Sequence, residues 1–142
     1  MMHIEIRGGS VQDTDYVIGL DPFAQADQDR SAFIISALES GTCCVVESNS
    51  QVIGYGVLSY SFYGHGMVDL LFVREKDRRQ GVGSVLLDHM VERCKTSKLF
   101  TSTNQSNTPM QRLLIKCDFV RSGVIENLDE GDPELVFFRQ LG

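Results

Sequence analysis

The chain is short of positive charge: 13 lysines and arginines face 19 aspartates and glutamates, a net charge of −6. Nucleic acid is therefore a poor partner, and no basic tract interleaved with aromatic residues argues otherwise. No apolar run approaches the ~20 residues that a membrane span needs. The opening stretch, MMHIEIRGGS, lacks the layout of a leader and reads as a strand. Four cysteines, Cys43, Cys44, Cys94 and Cys117, show no Cys-x-x-Cys or Cys/His spacing, so no metal site is expected. They read as reduced, partly buried thiols, and the expected compartment is the cytoplasm. Repeats, low-complexity tracts and linkers are also missing. The 142 residues then read as one domain, residues 1–142, with enough chain for one sizeable core.

What is present is an alternation of strands and helices. His3 to Arg7 alternates as a short strand. Ser10 is the expected N-cap of a helix through Leu20, which Asp21-Pro22 breaks. Asp27 to Glu39 reads as a second helix, with Phe33, Ile34, Ala37 and Leu38 on its apolar face. TCCVVE, VIGYGVLSYSFYG and MVDLLFV follow as strands, the last two separated by a turn at Gly64-His65-Gly66. Gly54 and Gly56 share one strand face, so something is expected to approach closely there. A helix after the glycines at 81 and 83 carries Val82, Val85, Leu86, Met90, Val91 and Cys94 on one side. KLFTSTN is a strand with a polar end. Thr108 as cap and Pro109 at the first helical position open a helix whose core side is Met110, Leu113, Leu114 and Cys117. A strand, an acidic turn and a strand close the chain. The order, β-α-α-β-β-β-α-β-α-β-β, is that of an α/β layer fold.

RRQGVGS, residues 78–84, places mobile glycines and two arginines where a helix is about to begin. The first four N–H groups of a helix have no partner within it, and the aligned peptide dipoles add roughly half a positive charge there. Gly81 and Gly83 leave room for a bulky anion to reach the backbone, and Arg78 and Arg79 add charge and forked donors. The combination suits a pyrophosphate. ATP and NAD are disfavoured by the usual routes: no Gly-Lys-Ser/Thr follows at the P-loop spacing, and the third glycine of the dinucleotide fingerprint is replaced by Leu86.

Arg78-x-x-Gly81-x-Gly83 resembles the signature of the GNAT acetyltransferases, namely Gln or Arg, two free positions, Gly, one free position, Gly or Ala. The surrounding VDLLFVREKDRRQGVGSVLLDHMVERC looks like that family's strand, loop and pyrophosphate-binding helix. NTPMQRLLIKCDFVRSG is similar to its second block, and the likeness runs over about residues 30 to 139. The resemblance implies a GNAT fold: a mixed central sheet of about seven strands with about four helices, strands 4 and 5 splayed apart. It implies acetyl-CoA as co-substrate. The cofactor's pantetheine arm would pair with the backbone of Leu71, Phe72 and Val73. The amides of Arg79, Gln80, Gly81, Val82, Gly83 and Ser84 would hold the pyrophosphate, with Arg78 beside them. Asn107 matches the asparagine that contacts the cofactor arm.

Acyl transfer to an amine needs a neutral nucleophile, although a free alkylamine titrates near about 10. It also needs donors for the developing oxyanion, expected from a strand amide near Phe72, and a route for the thiolate to leave. Asp69 stands where many family members carry a strand Glu that serves as base. As the lone carboxylate in an apolar strand it should have a raised pKa; its alternative role is to cap a loop or pair with a cation. Leu114 replaces the tyrosine that usually donates the proton. Cys117, on the same helix face, is the thiol that could serve instead, with core packing as the alternative; Tyr60, Tyr63 and water are further options.

For the acceptor, Glu126, Asp129, Glu130, Asp132 and Glu134 form an acidic turn that would attract a cation, unless it is simply a solvated tip. TSTNQSN and His65 offer polar contacts. A small polar or cationic amine is expected first, and peptide or protein amines second. A catalytically weak acyl-CoA sensor is the reading from a different class. Homodimers occur in the family, and Val136 to Phe138 is the apolar strand that would serve one here.

Overall fold

The computed structural model describes residues 3–142; Met1 and Met2, the start of the stretch read as lacking a leader, lie outside the described residues. Seven strands form one mixed sheet in the order β1-β2-β3-β4-β5-β7-β6. They are β1 (Glu5–Gly8), β2 (Cys43–Ser48), β3 (Gln51–Phe62), β4 (His65–Val73), β5 (Lys98–Asn104), β6 (Val120–Ile125) and β7 (Glu134–Gln140). The helices are α1 (Thr14–Leu20), α2 (Pro22–Ala26), α3 (Gln28–Ser40), α4 (Val82–Arg93) and α5 (Thr108–Lys116). All neighbours are antiparallel except β4 and β5, which run parallel. Among the described residues no helix is long and apolar enough to cross a membrane.

The two faces of the sheet carry two cores. α1, α2 and α3 cover one face, where Val17, Ile34, Leu38, Tyr55 and Phe72 meet. α4 and α5 cover the other, with Leu86, Leu87, Met90, Leu99, Leu114 and Phe137. Cys43 and Cys44, adjacent in β2, point to opposite cores as strand alternation requires. All four cysteines are free thiols.

Several local expectations are revised. The first helix opens with a 3₁₀ turn at Val11–Asp13 before α1 proper. Pro22 starts a separate short helix instead of a loop, because Asp21 caps it through the N–H groups of Phe23 and Ala24; this makes five helices where about four were expected. The turn before β4 is Tyr63-Gly64, so His65 and Gly66 belong to the strand. α5 is capped by Asn107, whose carboxamide accepts from Met110 N–H at 3.2 Å, and not by Thr108. On α4, Leu87 is buried and Val85 is exposed. At 100° per residue the buried stripe is centred on Leu86 and Met90, and Val85 falls off its edge. On α3, Phe33 lies outside the core. Gly54 and Gly56 are approached by the protein itself: an added Cβ would sit 2.8 Å from the Phe72 carbonyl oxygen and 2.8 Å from Met90 Cε. Of Val136 to Phe138, the apolar strand that would serve a dimer, Val136 and Phe137 are buried within the chain and Phe138 is half-buried.

Asp21 locks the α1–α2 junction to the sheet. Its side chain is wholly buried and accepts from Arg30 Nε at 3.0 Å, from the Tyr55 hydroxyl and from two α2 amides. Asp21→Ala would strand the Arg30 guanidinium and the Tyr55 hydroxyl together. We expect a loss of about 3 kcal/mol in urea unfolding at neutral pH; a loss below about 1 kcal/mol would show that the network carries no stability.

Candidate active site

β4 and β5 pair through only three rungs: Gly66 with Leu99, Met67 with Phe100 and Val68 with Thr101. Thr101 Oγ1 donates to the Val68 carbonyl at 2.9 Å and closes the last one. Beyond it β4 runs on to Val73 and β5 to Asn104 without pairing, so a wedge opens between them. β5 stays with β7 along its whole length, so β4 is the strand that departs.

A bulge marks the point of departure. The β3–β4 register passes from Val57–Leu70 to Leu58–Val68, and Asp69 is left without a cross-strand partner. An extra residue of this kind bends its strand and re-aims a side chain. The ladder beyond it has a definite phase. Arg74 N–H donates to Ile53 C=O at 2.7 Å, which makes Gly54–Val73 a non-hydrogen-bonded pair and Tyr55–Phe72 a hydrogen-bonded one. The peptide groups of Leu71 and Val73 therefore face the wedge, while those of Phe72 are spent on β3. Of the three residues expected to offer backbone to a cofactor arm, Leu71 and Val73 turn their peptide groups to the wedge and Phe72 turns its own to β3.

The wedge opens toward the start of α4. Gly81 is its N-cap, in the left-handed region at φ 83°, and no side chain caps the helix. Arg79 is left-handed as well, at φ 64°. Among the described residues no protein acceptor takes the N–H groups of Gln80, Gly81, Val82, Gly83 or Ser84. α2, α3 and α5 each receive a side-chain cap from Asp21, Asp27 and Asn107. Gly83 has a second reason to be small: a Cβ there would lie 3.1 Å from Leu113 Cδ2 on α5. The side chain of Arg78 folds back toward the wedge. Its Nε donates to the Val73 carbonyl at 2.8 Å and its guanidinium lies 5.1 Å from the centre of the Phe72 ring. Val82 is buried beneath the loop.

Asp69 faces the α3 side of the sheet, in a cleft of about 190 Å³ between α3, β3 and β4. The hydroxyls of Ser36, Ser40, Thr42, Ser59 and Ser61 line it, over Phe33, Ala37 and Val57. Asp69 Oδ2 is buried without a hydrogen-bond partner, the one such side-chain atom among the described residues. Burial pushes the carboxyl pKa up, and the neighbouring Ser59 hydroxyl offsets part of that. Cys117 lies on the opposite face, in the α4–α5 core. Burial pushes its thiol up too, and the Ser84 side chain beside it works the other way. The fold thus does not bring Asp69 and Cys117 together. Leu114 is fully buried. The Tyr60 hydroxyl accepts from Lys95 N–H at 3.0 Å at the end of α4, and Tyr63 projects from the β3–β4 turn, 88% exposed.

Sequence reasoning missed the hydroxyl row, because its members come from three separate segments and none is unusual alone. It also left open the use of the acidic turn. Asn104 Nδ2 donates to Asp129 at 2.8 Å, and Asp132 accepts from the Ser106 amide at 3.0 Å and from its hydroxyl. Those two carboxylates fasten the β6–β7 connection to the end of β5. Glu134 accepts from Ser102 Oγ at 2.7 Å. A larger groove of about 560 Å³ lies near α1 and the start of β3. Its arginines are already engaged, Arg7 by Asp13 and Glu47 and Arg74 by Asp77, and neither Asp69 nor the glycine loop reaches it.

A family model described as acetyltransferase (GNAT) family matches residues 12–119. Among solved structures, an acetyltransferase of the GNAT family from Bacillus cereus is 32% identical, with 97% of each chain covered and a TM-score of 0.90. The yncA protein of Salmonella typhimurium, solved with its cofactor acetyl-CoA, is 19% identical over 98% of this chain and 94% of its own, at a TM-score of 0.78. The diaminobutyrate acetyltransferase of Paenibacillus lautus, in complex with L-2,4-diaminobutyric acid and coenzyme A, is 17% identical over 99% and 96%, at 0.79. Among curated proteins none matches the chain in sequence.

The raised carboxyl makes a stability prediction. Asp69 holds its proton more tightly folded than unfolded. Its favourable contribution is therefore present below the ordinary carboxylate range and is lost as pH rises through the raised value. Asp69→Asn removes the buried charge, so Tm relative to the parent should be higher at pH 7.5 than at pH 4.5. A difference independent of pH would contradict the burial assigned to this group.

Proposed function

Because the chain belongs to the acetyltransferase (GNAT) family, we propose that it moves the acetyl group of acetyl-CoA onto the primary amine of a small polar or cationic molecule, by direct attack in a ternary complex. One observation carries this reading. The row of unclaimed N–H groups from Gln80 to Ser84 stands at the mouth of a wedge whose wall, Leu71 and Val73, also has strand edge to offer. A diphosphate joined to an extended amide-bearing arm matches both parts, and acetyl-CoA is such a molecule.

In this reading the α4 amides hold the diphosphate, and Arg78 releases the Val73 carbonyl to the arm and turns to the phosphates. The unengaged carboxamide nitrogen of Asn107 donates to the arm from the far side of the wedge. Leu71 N–H, the first free amide after the bulge, is the donor for the thioester oxygen as it gains charge. Asp69 takes the ammonium proton of the acceptor, directly or through water. The amine nitrogen then bonds to the acetyl carbon, the C–S bond breaks, and the second amine proton ends on the departing thiolate. A thiolate is a good leaving group; Leu114 has no proton to give it, and the Tyr60 hydroxyl donates to the Arg93 carbonyl at 3.4 Å at the end of α4. The core position of Cys117 supports packing over proton donation, so Cys117→Ala should lower kcat/KM by less than about threefold while costing stability. The four free thiols support the cytoplasm as its compartment.

Two measurements test the assignment. Asp69→Asn should lower kcat/KM by about a hundredfold and remove the acidic limb of the pH profile, with acetyl-CoA affinity unchanged by calorimetry. Full activity in that variant would end the role of Asp69. Gly81→Ala forces an L side chain into φ 83° and should weaken acetyl-CoA binding about tenfold. The sensor reading, which Leu114 keeps in view, would be supported by tight acetyl-CoA binding without thiol release on any amine.

A further inference from the structure

We infer that the acceptor is a small hydroxylated amine, an amino sugar or amino alcohol, held by the serine and threonine cleft beside Asp69. The inference rests on the reading of Asp69 as the group that prepares the amine, and it adds what binds the rest of the molecule.

The cleft has two facing hydroxyl rows. Ser36 and Ser40 are four apart on α3 and share a helix face. Ser59 and Ser61 are two apart on β3 and share a sheet face. Thr42, on the link from α3 to β2, joins them at one end. Ser59 and Ser61 lie 3.0 Å apart, and Ser40 and Thr42 3.1 Å apart. Each hydroxyl has one proton and two lone pairs, so a hydroxyl paired with another still has an acceptor site to give. Ser36 makes no hydrogen bond within the described residues.

The lining also says what does not fit. It contains no lysine, arginine or histidine, so an acceptor with a carboxylate or phosphate would lose water there without gaining a cation. It contains one carboxylate, which the reacting ammonium uses; a second ammonium would meet neutral hydroxyls only. At about 190 Å³ it is smaller than most ligand pockets and too short for a peptide. Phe33, 44% exposed on the rim, offers an apolar face to the C–H side of a ring. A compact molecule with one amine and several hydroxyls suits the groups that line the cleft. The chemistry stays that of amine acetylation: the C–S bond breaks, a C–N bond forms, and CoA thiol is released.

The test compares glucosamine with cyclohexylamine, a six-membered ring without hydroxyls, and with 1,4-diaminobutane, following thiol release at saturating acetyl-CoA. Ser36→Ala and Ser61→Ala are surface changes away from the cofactor wedge. We expect glucosamine to exceed both other amines in kcat/KM by tenfold or more. Each serine variant should lower kcat/KM for glucosamine about fivefold to tenfold and leave that for cyclohexylamine within about twofold. Cyclohexylamine or diaminobutane matching glucosamine would overturn the inference, as would serine variants that slow all three amines equally. Turnover of the other amines that still depends on Asp69 would leave the acetyltransfer reading standing and remove only this one. Acetyl-CoA binding without turnover of any of the three would overturn this inference, and the acetyltransfer reading would fall with it only if no other amine released thiol.

Discussion

Three rungs hold β4 to β5, and the bulge at Asp69 ends them. Everything at the site follows from that parting. A sheet that continued to pair would use the Leu71 and Val73 peptide groups internally and leave no strand edge. Because β4 bends away, those groups face a gap, and burying them without partners would cost about 1–3 kcal/mol each. In the proposed reading the gap is a binding feature as well as a discontinuity. Arg78 takes up part of the deficit by donating to the Val73 carbonyl.

In the proposed reading the same parting lets two molecules meet through one sheet. The amides of α4 and the wedge belong to the face that α4 and α5 cover; the Asp69 cleft belongs to the face that α3 covers. A cofactor threaded from one side and an acceptor arriving from the other come together only where the sheet is open. The bulge leaves Asp69 there, with its carboxylate in the cleft on the α3 side. The Asp21, Arg30 and Tyr55 network supports this remotely, since it fixes α2 and α3 against β3. Two of the turn carboxylates that had looked available to an acceptor, Asp129 and Asp132, hold the β6–β7 connection in place.

The element order and the glycine loop were legible in the sequence because each rests on local signals. Alternation marks the strands, and RRQGVGS announces a helix without a side-chain cap. Caps were read less well: Thr108 looked as good as Asn107, and only the backbone decides which carboxamide reaches Met110 N–H. The unexpected α2 arose in the same way, from Asp21 acting as cap where the proline was read as a break. Asp69 was legible as a lone carboxylate in an apolar strand, but the bulge that aims it was not, since a bulge is a property of two strands in register. For the same reason Phe72 could not be separated from Leu71 and Val73. The hydroxyl cleft assembles residues from 36 to 61 and needs the tertiary fold to exist.

The central claim is that the N–H groups from Gln80 to Ser84, together with the free edge of β4, receive coenzyme A. It is tested most directly by titrating coenzyme A into ¹⁵N-labelled protein and following the backbone amides. The account predicts the largest shifts at Gln80 to Ser84 and at Leu71 and Val73, with Phe72 less affected because its amide is held by β3. Shifts centred on the groove near Arg7 and Glu47, or a spectrum that does not change, would contradict it.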